Sequence, residues 1–334
     1  MVHSSRILGV GMYLPARVVP NTELEQIKSL ETSDEWIQQR TGIKSRHYVA
    51  HESGTDMAYE ASVKALDNAN MTADDIDFII YATLSPDHYF PGNGCLLQDR
   101  LLGDRPVGAL DVRNQCSGFI YSLTVADSLI KCGQYKNILV VGSEVHSRGL
   151  DFSKDGRSVT VLFGDGAGAA IVGPSTEGHQ GILGHSLYAE GKHADALWME
   201  YPCNADDFFI SHEDLDAGRQ YPKMNGRMVF KHATRRMVEV SKEVLEKSGK
   251  TVDDIDVVLF HQANLRINQM TASMLKIPEE KMVNTIEWTG NTTAATIPIC
   301  MCTALNQGKL KENDLVLICG FGAGFTWAAS LLYW

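Results

Sequence analysis

The stretch EASVKALDNANMTADDIDFIIY, residues 60–81, reads as an amphipathic helix, a turn built on Asp-Asp-Ile-Asp and a hydrophobic strand. The same three pieces return as EVSKEVLEKSGKTVDDIDVVLF at residues 239–260, 179 positions later. The likeness continues outward from both blocks. The first strand runs into Ala82-Thr-Leu-Ser, the second into His261-Gln-Ala-Asn. Cys116 stands 17 residues before Gly133 and the strand NILVVG (137–142); Asn291 stands 17 residues before Gly308 and the strand DLVLICG (314–320). A glycine-rich hairpin signal follows each, FGDGAGAAIVG (163–173) and FGAGFTWAASLLYW (321–334). This order predicts an α/β chain of two βαβ-rich halves, 1–178 and 179–334, with mostly parallel sheets clothed by helices.

A duplication of this kind has a chemical consequence. If the halves pack about a pseudo-twofold axis, the ends of matching elements converge there. The segment DVRNQCSGFIYSL (111–123) places Cys116 between a short buried strand, Val107–Val112, and a helix whose apolar face carries Ile120, Leu123 and Ala126. A thiol at a helix start faces free N–H groups and the positive dipole end, which favour the thiolate. Alone, Cys116 could be a packed core cysteine, His261 a satisfied strand-end histidine and Asn291 a helix N-cap. With Cys116 and Asn291 at matching helix starts and His261 at a strand end, one site can hold all three.

Composition narrows the alternatives. The chain has 334 residues, 44% of them hydrophobic and 21% charged, and a formal net charge of −11. That charge argues against a nucleic-acid binder. No apolar run approaches the ~18 residues of a membrane span. The opening MVHSSRILGVGMYLP lacks a secretory pattern, so a cytoplasmic location is expected. The seven cysteines are scattered and odd in number, which fits reduced thiols, and no metal-ligand spacing is present.

On SDEWIQQRTGI (33–43), the segment around Cys116, FGDGAGAA (163–170), HQANLRI (261–267), GNTTAATIP (290–298) and FGAGFTWAA (321–329), the chain resembles the β-ketoacyl-acyl-carrier-protein synthase III family. The resemblance implies a thiolase-like fold layered αβαβα and a cytoplasmic homodimer. It also implies condensation of an acyl-CoA primer with malonyl-acyl carrier protein, without cofactor or metal, in fatty acid biosynthesis. Cys116 would carry the acyl group, with the backbone N–H groups of Cys116 and Ala323 as oxyanion hole. His261 and Asn291 would donate to the thioester oxygen as CO₂ leaves. Trp36 and Arg157 would sandwich the adenine of CoA, Arg40 would meet the nucleotide and Asn264 the pantetheine arm. Phe90 matches the position that reaches across the dimer into the partner's acyl pocket. Lys231 and Arg266 match positions that dock the acidic carrier protein; Arg235 and Arg236 lie on the same predicted helix as Lys231.

Three stretches depart from the family pattern. Arg113-Asn114-Gln115 replace small residues before the cysteine and could alter packing behind it. The segment 203–223 is long and could border the pocket entrance. The basic pair often found after HQANLRI is absent, with Ser273 and Met274 nearby. A related acyltransferase or condensing enzyme with a longer or specialised primer therefore stays open, as does a silent partner subunit, although such a subunit is expected to lose its nucleophile.

Overall fold

The two Asp-Asp-Ile-Asp turns fold alike, and their last three side chains have separate tasks. In the computed structural model, which describes residues 4–176, 178–205 and 209–334, Ala73–Asp75 and Val252–Asp254 are single 3-10 turns. Asp75 accepts the N–H of Thr72 (2.8 Å) and Asp254 that of Thr251 (2.7 Å), closing the same capping box twice. Ile76 and Ile255 are fully buried. Asp77 accepts the N–H of Asn137 (3.1 Å) and Asp256 that of Leu315 (2.8 Å), pinning the start of the neighbouring strand. A cap contributes about 1 kcal/mol and a buried Ile about 2 kcal/mol, so few replacements serve at these positions.

The strands of the two main sheets are β1 (Ser5–Tyr13), β2 (Phe78–Ala82), β3 (Gly108–Val112), β4 (Ile138–Glu144), β5 (Gly166–Pro174), β6 (Ile182–Ala189), β7 (Val257–Phe260), β8 (Leu315–Gly322) and β9 (Thr326–Tyr333). They form one sheet of order β1-β5-β4-β2-β3 and another of order β7-β8-β9-β6. β2 is parallel to β3 and β4, and β7 to β8; β5 and β9 run antiparallel to both of their neighbours. The sheets are therefore mixed, not mostly parallel. The glycine-rich segments reverse the chain, FGAGF as a tight hairpin and FGDGAG after the excursion 145–165. In the second sheet the place of β3 is taken by an isolated bridge, Val258 with Met282. β3 itself is not buried as its sequence suggests. It is an edge strand that exposes Leu110 and Asp111.

The helices that position the site are α1 (Asp34–Thr41), α2 (Gly54–Ala69), α3 (Gly118–Lys131), α4 (Gly226–Lys247), α5 (Leu265–Leu275) and α6 (Thr296–Asn306). α3 and α6 lie between the sheets. Phe119 and Leu123 of α3 and Ile297 and Met301 of α6 share one core with Ile80 and Val140 of the first sheet and Leu259 and Ile318 of the second. α2 covers the outer face of the first sheet, and α4 and α5 that of the second. The layering is αβαβα.

The inner helices correct one reading. Cys116 sits in the 3-10 turn Gln115–Ser117 ahead of α3, and the equivalent turn ahead of α6 is Thr293–Ala295. Both turns open on a left-handed residue, Gln115 (φ 43°) and Thr293 (φ 48°). The counterpart of Cys116 is thus Ala294, not Asn291. α6 has 11 residues where α3 has 14, so counting back from the closing glycines lands three residues too early.

Candidate active site

Cys116, His261 and Asn291 line one cavity of about 470 Å³, together with Phe321 and Gly322 of β8. Cys116 arrives on its 3-10 turn, His261 just past β7 and Asn291 just ahead of the turn that opens α6. Gly322 stands against the sulfur so closely that a Cβ there would lie 2.8 Å from Sγ. The backbone N–H of Ala323 lies on the sulfur's side of this hairpin and favours the Cys116 thiolate. The turn carrying that N–H is fixed by side chains: Ser117 and Thr326 hydroxyls lie 2.8 Å apart, and Thr326 Oγ1 donates to the Ala323 carbonyl at 3.1 Å.

The thiol does not behave as its place at a helix start suggests. Burial, with the Glu144 carboxylate adding to it, pushes Cys116 up from 9.0 to about 12. That shift corresponds to about 4 kcal/mol against the thiolate. A helix N-terminus returns at most about 2 kcal/mol, so desolvation wins. Glu144, wholly buried at the end of β4, is itself raised to about 7 by burial. It accepts from Ser85 Oγ (2.6 Å), Thr83 Oγ1 (3.0 Å) and the N–H of Leu84 and Ser85.

His261 is held by its backbone N–H and by one ring atom. Its N–H donates to the Cys319 carbonyl (2.8 Å), and Nδ1 lies 2.7 Å from Thr296 Oγ1. Nε2 has no hydrogen-bond partner among the described residues. Burial pulls the imidazole down to about 3, so it is neutral. Asn291 Oδ1 accepts the N–H of Thr293 at 2.8 Å, which fixes the amide and leaves Nδ2 as its donor for a ligand. A neutral imidazole, an oriented amide, a thiol and a nearby backbone N–H can together bind and attack a thioester carbonyl.

At the other end of the cavity stand Trp36, Arg40, Arg227, Asn264 and Arg266. Ser33 caps α1 by accepting the N–H of Trp36 (3.1 Å), which sets the indole on the outer turn. Arg40 and Arg157 lie 5.1 and 4.8 Å from the indole centre. Both cations already attend the ring without ligand. Asn264 caps α5, accepting the N–H of Arg266 (2.9 Å) and donating to the Arg40 carbonyl (3.0 Å). Its first function is to join the two ends of the mouth.

The remaining expected positions separate. Lys231 and Arg266 are exposed. Arg235 and Arg236 are not free cations: Arg235 pairs with Glu239 (2.7 Å), and Arg236 spans Glu239 and Glu190 (both 2.9 Å) above Trp327. Phe90 is 80% exposed and is not among the cavity's lining. Arg113 is exposed, and Asn114 and Gln115 build the turn that carries the thiol, so they do not form a wall behind it. Within 203–223, residues 206–208 lie outside the described residues. None of the described ones lines the cavity, which is bordered instead by the flanking Leu197 and Met224. Sequence reasoning missed Thr296, Glu144 and Arg227. Glu144 carried a signal, an acid closing an otherwise apolar strand.

Among the described residues one group, Glu190, His193 and His232, brings ligand atoms within 4.8 Å of one another. Both Glu190 oxygens already face cations, Lys192 and Arg236, which oppose a metal there. No helix among the described residues is long and apolar enough to cross a membrane.

Comparison with known proteins agrees with this geometry. The family model for 3-oxoacyl-[acyl-carrier-protein] synthase III matches residues 110–191, and that for its C-terminal part residues 245–334. The β-ketoacyl-[acyl-carrier-protein] synthase III of Oceanobacillus iheyensis is 44% identical over 329 residues, covering 98% of each chain. The crystal structure of the Aquifex aeolicus 3-oxoacyl-[acyl-carrier-protein] synthase III superposes with a TM-score of 0.90 at 43% identity, over 99% of this chain and 100% of that one. A priming β-ketosynthase from a polyketide biosynthetic pathway is similar at TM-score 0.88 and 32% identity, over 98% of this chain and 96% of that one.

Proposed function

The chain belongs to the 3-oxoacyl-[acyl-carrier-protein] synthase III family, and from that membership we infer that it condenses an acyl-CoA primer with malonyl-acyl carrier protein. It is a condensing acyltransferase of fatty acid biosynthesis with a thiolase-like fold. In the reading favoured here, the halves 1–178 and 179–334 supply the nucleophile and its partners respectively. Cys116 attacks the primer's thioester and keeps the acyl group while CoA leaves. The N–H groups of Cys116 and Ala323 meet the oxygen of the tetrahedral intermediate. Malonyl thioester then loses CO₂, and His261 and Asn291 donate to the oxygen on which enolate charge develops. The carbanion attacks acyl-Cys116 and gives the 3-ketoacyl-carrier protein.

The observation that supports this most is the convergence of Cys116, His261 and Asn291, from three separate elements, on one cavity whose mouth holds Trp36 and Arg40. Trp36 with Arg40 and Arg157 is read as the CoA nucleotide site, Asn264 as a contact of the pantetheine arm. Lys231 and Arg266 are read as the docking cations, exposed and in no ion pair among the described residues, whereas Arg235 is exposed but paired with Glu239. A cytoplasmic homodimer is proposed from the open edge of β3, whose unpaired backbone invites a second strand, and from the exposed Phe90. No cofactor enters this chemistry.

The test is intact mass. Acyl-CoA should add one acyl group to the wild-type chain and none to Cys116→Ala. An adduct that persists in Cys116→Ala removes the proposed nucleophile. Repeating the measurement with acetyl-, branched- and medium-chain CoA, followed by malonyl-acyl carrier protein, identifies the primer.

A further inference from the structure

The reaction proposed for this cavity forms a tetrahedral oxyanion twice. The first arises when Cys116 attacks the primer's thioester, the second when the carbanion attacks acyl-Cys116. In that reading both meet the N–H groups of Cys116 and Ala323. These donors come from distant stretches of chain, the turn ahead of α3 and the hairpin between β8 and β9, so their spacing has to be set by a contact between the two. A pair of hydroxyls makes one. Ser117, fully buried beside the nucleophile, closes the turn Gln115–Ser117. Thr326, also buried, opens β9 opposite Gly322, so residues 323–325 form the hairpin's loop. The two hydroxyl oxygens lie 2.8 Å apart across 209 positions of sequence.

The protons of this pair run one way. The Ser117 hydroxyl has two acceptors in reach, Thr326 Oγ1 and the Asn114 carbonyl (3.0 Å). That carbonyl already accepts the Ser117 N–H at 3.1 Å. The Thr326 hydroxyl reaches the Ala323 carbonyl at 3.1 Å. Each hydroxyl has one proton and can accept while it donates. With Ser117 donating to Thr326 and Thr326 to Ala323, every oxygen is served and each bond strengthens the next. The chain starts one residue after the first N–H donor and ends on the residue that carries the second.

We propose that Ser117 and Thr326 are positioning residues, a hydroxyl latch that fixes the spacing of the two oxyanion donors. This deepens the condensing reading and rests on it. A loosened latch has a selective consequence. Both attacks on a thioester carbonyl slow, because both use the two N–H groups. Loss of CO₂ continues, because His261 and Asn291 face the malonyl thioester oxygen instead. The carbanion that finds no ready acceptor takes a proton from water and leaves as acetyl-carrier protein, in place of the 3-ketoacyl product.

Ser117→Ala and Thr326→Val each remove one hydroxyl; Thr326→Ser keeps it. A donor displaced by well under 1 Å costs less than the ~10²-fold of a full ångström, so single-turnover acylation, followed by intact mass, should slow about 10-fold in either variant. The double variant should be no slower than the worse single one, because a latch fails only once. Thr326→Ser should acylate like the wild type. With protein acylated beforehand to completion, the ratio of acetyl- to 3-ketoacyl-carrier protein should rise about 10-fold in the alanine and valine variants. Alkylation of Cys116 by iodoacetamide develops no oxyanion and should keep its rate, which neither a displaced sulfur nor a loosened fold would allow. Losses that multiply in the double variant, or alkylation slowed as much as acylation, overturn the proposal. A wild type that forms no adduct with acyl-CoA would fell the condensing reading instead. p-Nitrophenyl acetate, read against Cys116→Ala, acetylates the thiol without CoA and still decides the latch: slower acetylation with unchanged alkylation supports it, and unchanged acetylation refutes it.

Discussion

Gly322→Ala tests whether the space around the sulfur is as tight as the structure requires. The added Cβ would come 2.5 Å from Cys116 Cβ and 2.8 Å from Sγ. Carbon contacts are comfortable near ~3.5–4 Å, so the thiol must retreat by about 1 Å. Gly322 does not have a positive φ, so alanine brings no backbone strain and the effect isolates this contact. Overpacking of this size costs about 1–3 kcal/mol of stability, a few degrees of melting temperature. A 1 Å displacement of a reacting atom costs about 10²-fold in rate, so acylation suffers much more than folding. Gly320→Ala is the internal control, because its Cβ would sit 3.3 Å from His261 Cβ and 3.4 Å from the Cys116 carbonyl oxygen. The assay is the rate of single-turnover acylation by intact mass, beside a thermal melt of each variant. Gly322→Ala should lose about two orders of magnitude and Gly320→Ala at most about one. If Gly322→Ala acylates as fast as Gly320→Ala while both stay folded, the sulfur is not where the reasoning needs it.

Four other parts of the molecule can be tested singly. Glu144 has a folded-state pKa near 7, raised from 4.5 by burial. Its stabilising contribution is therefore full below about pH 4.5 and lost as pH climbs through 7, a decline of about 3 kcal/mol. Melting curves from pH 5 to 8 should flatten in Glu144→Gln, and an unchanged slope would show that this carboxyl does not titrate there. Trp36→Ala should raise KM for acyl-CoA by about 10-fold, the scale of a cation–π sandwich. It should leave acyl-pantetheine, which lacks the nucleotide, unaffected; equal losses on both substrates would move the adenine elsewhere. Lys231→Glu should raise KM for malonyl-acyl carrier protein in a salt-dependent way and spare loading by acyl-CoA. Arg236→Ala should instead lower the melting temperature by freeing Glu190 and Glu239, and a selective loss of carrier-protein use in that variant would contradict its structural pairing.

What could be read from the sequence divides along a physical line. The Asp-Asp-Ile-Asp repeat was legible because Asp75 and Asp254 close capping boxes three residues back and Asp77 and Asp256 pin the neighbouring strand, so a short pattern carries the structure. The layering followed from it, since two copies of an amphipathic unit can bury their shared faces only against each other. Strand direction was harder: parallel and antiparallel strands have the same alternation, and only the reversal at FGAGF distinguishes them. Cys116, His261 and Asn291 were visible through motifs, but the partner logic among them was not. Nδ1 of His261 meets Thr296, 35 positions away, and Thr296 in turn meets the Thr293 carbonyl, contacts that exist only once the chain is folded. The thiol shows the same limit more sharply. Its local sequence argues for a thiolate through the helix that follows, a term of at most about 2 kcal/mol. What decides its state is the removal of water by both halves together and the carboxylate of Glu144, contributed by a different strand. In the proposed reading the nucleophile is therefore not activated by its own helix, because the burial that both halves impose outweighs that helix's field.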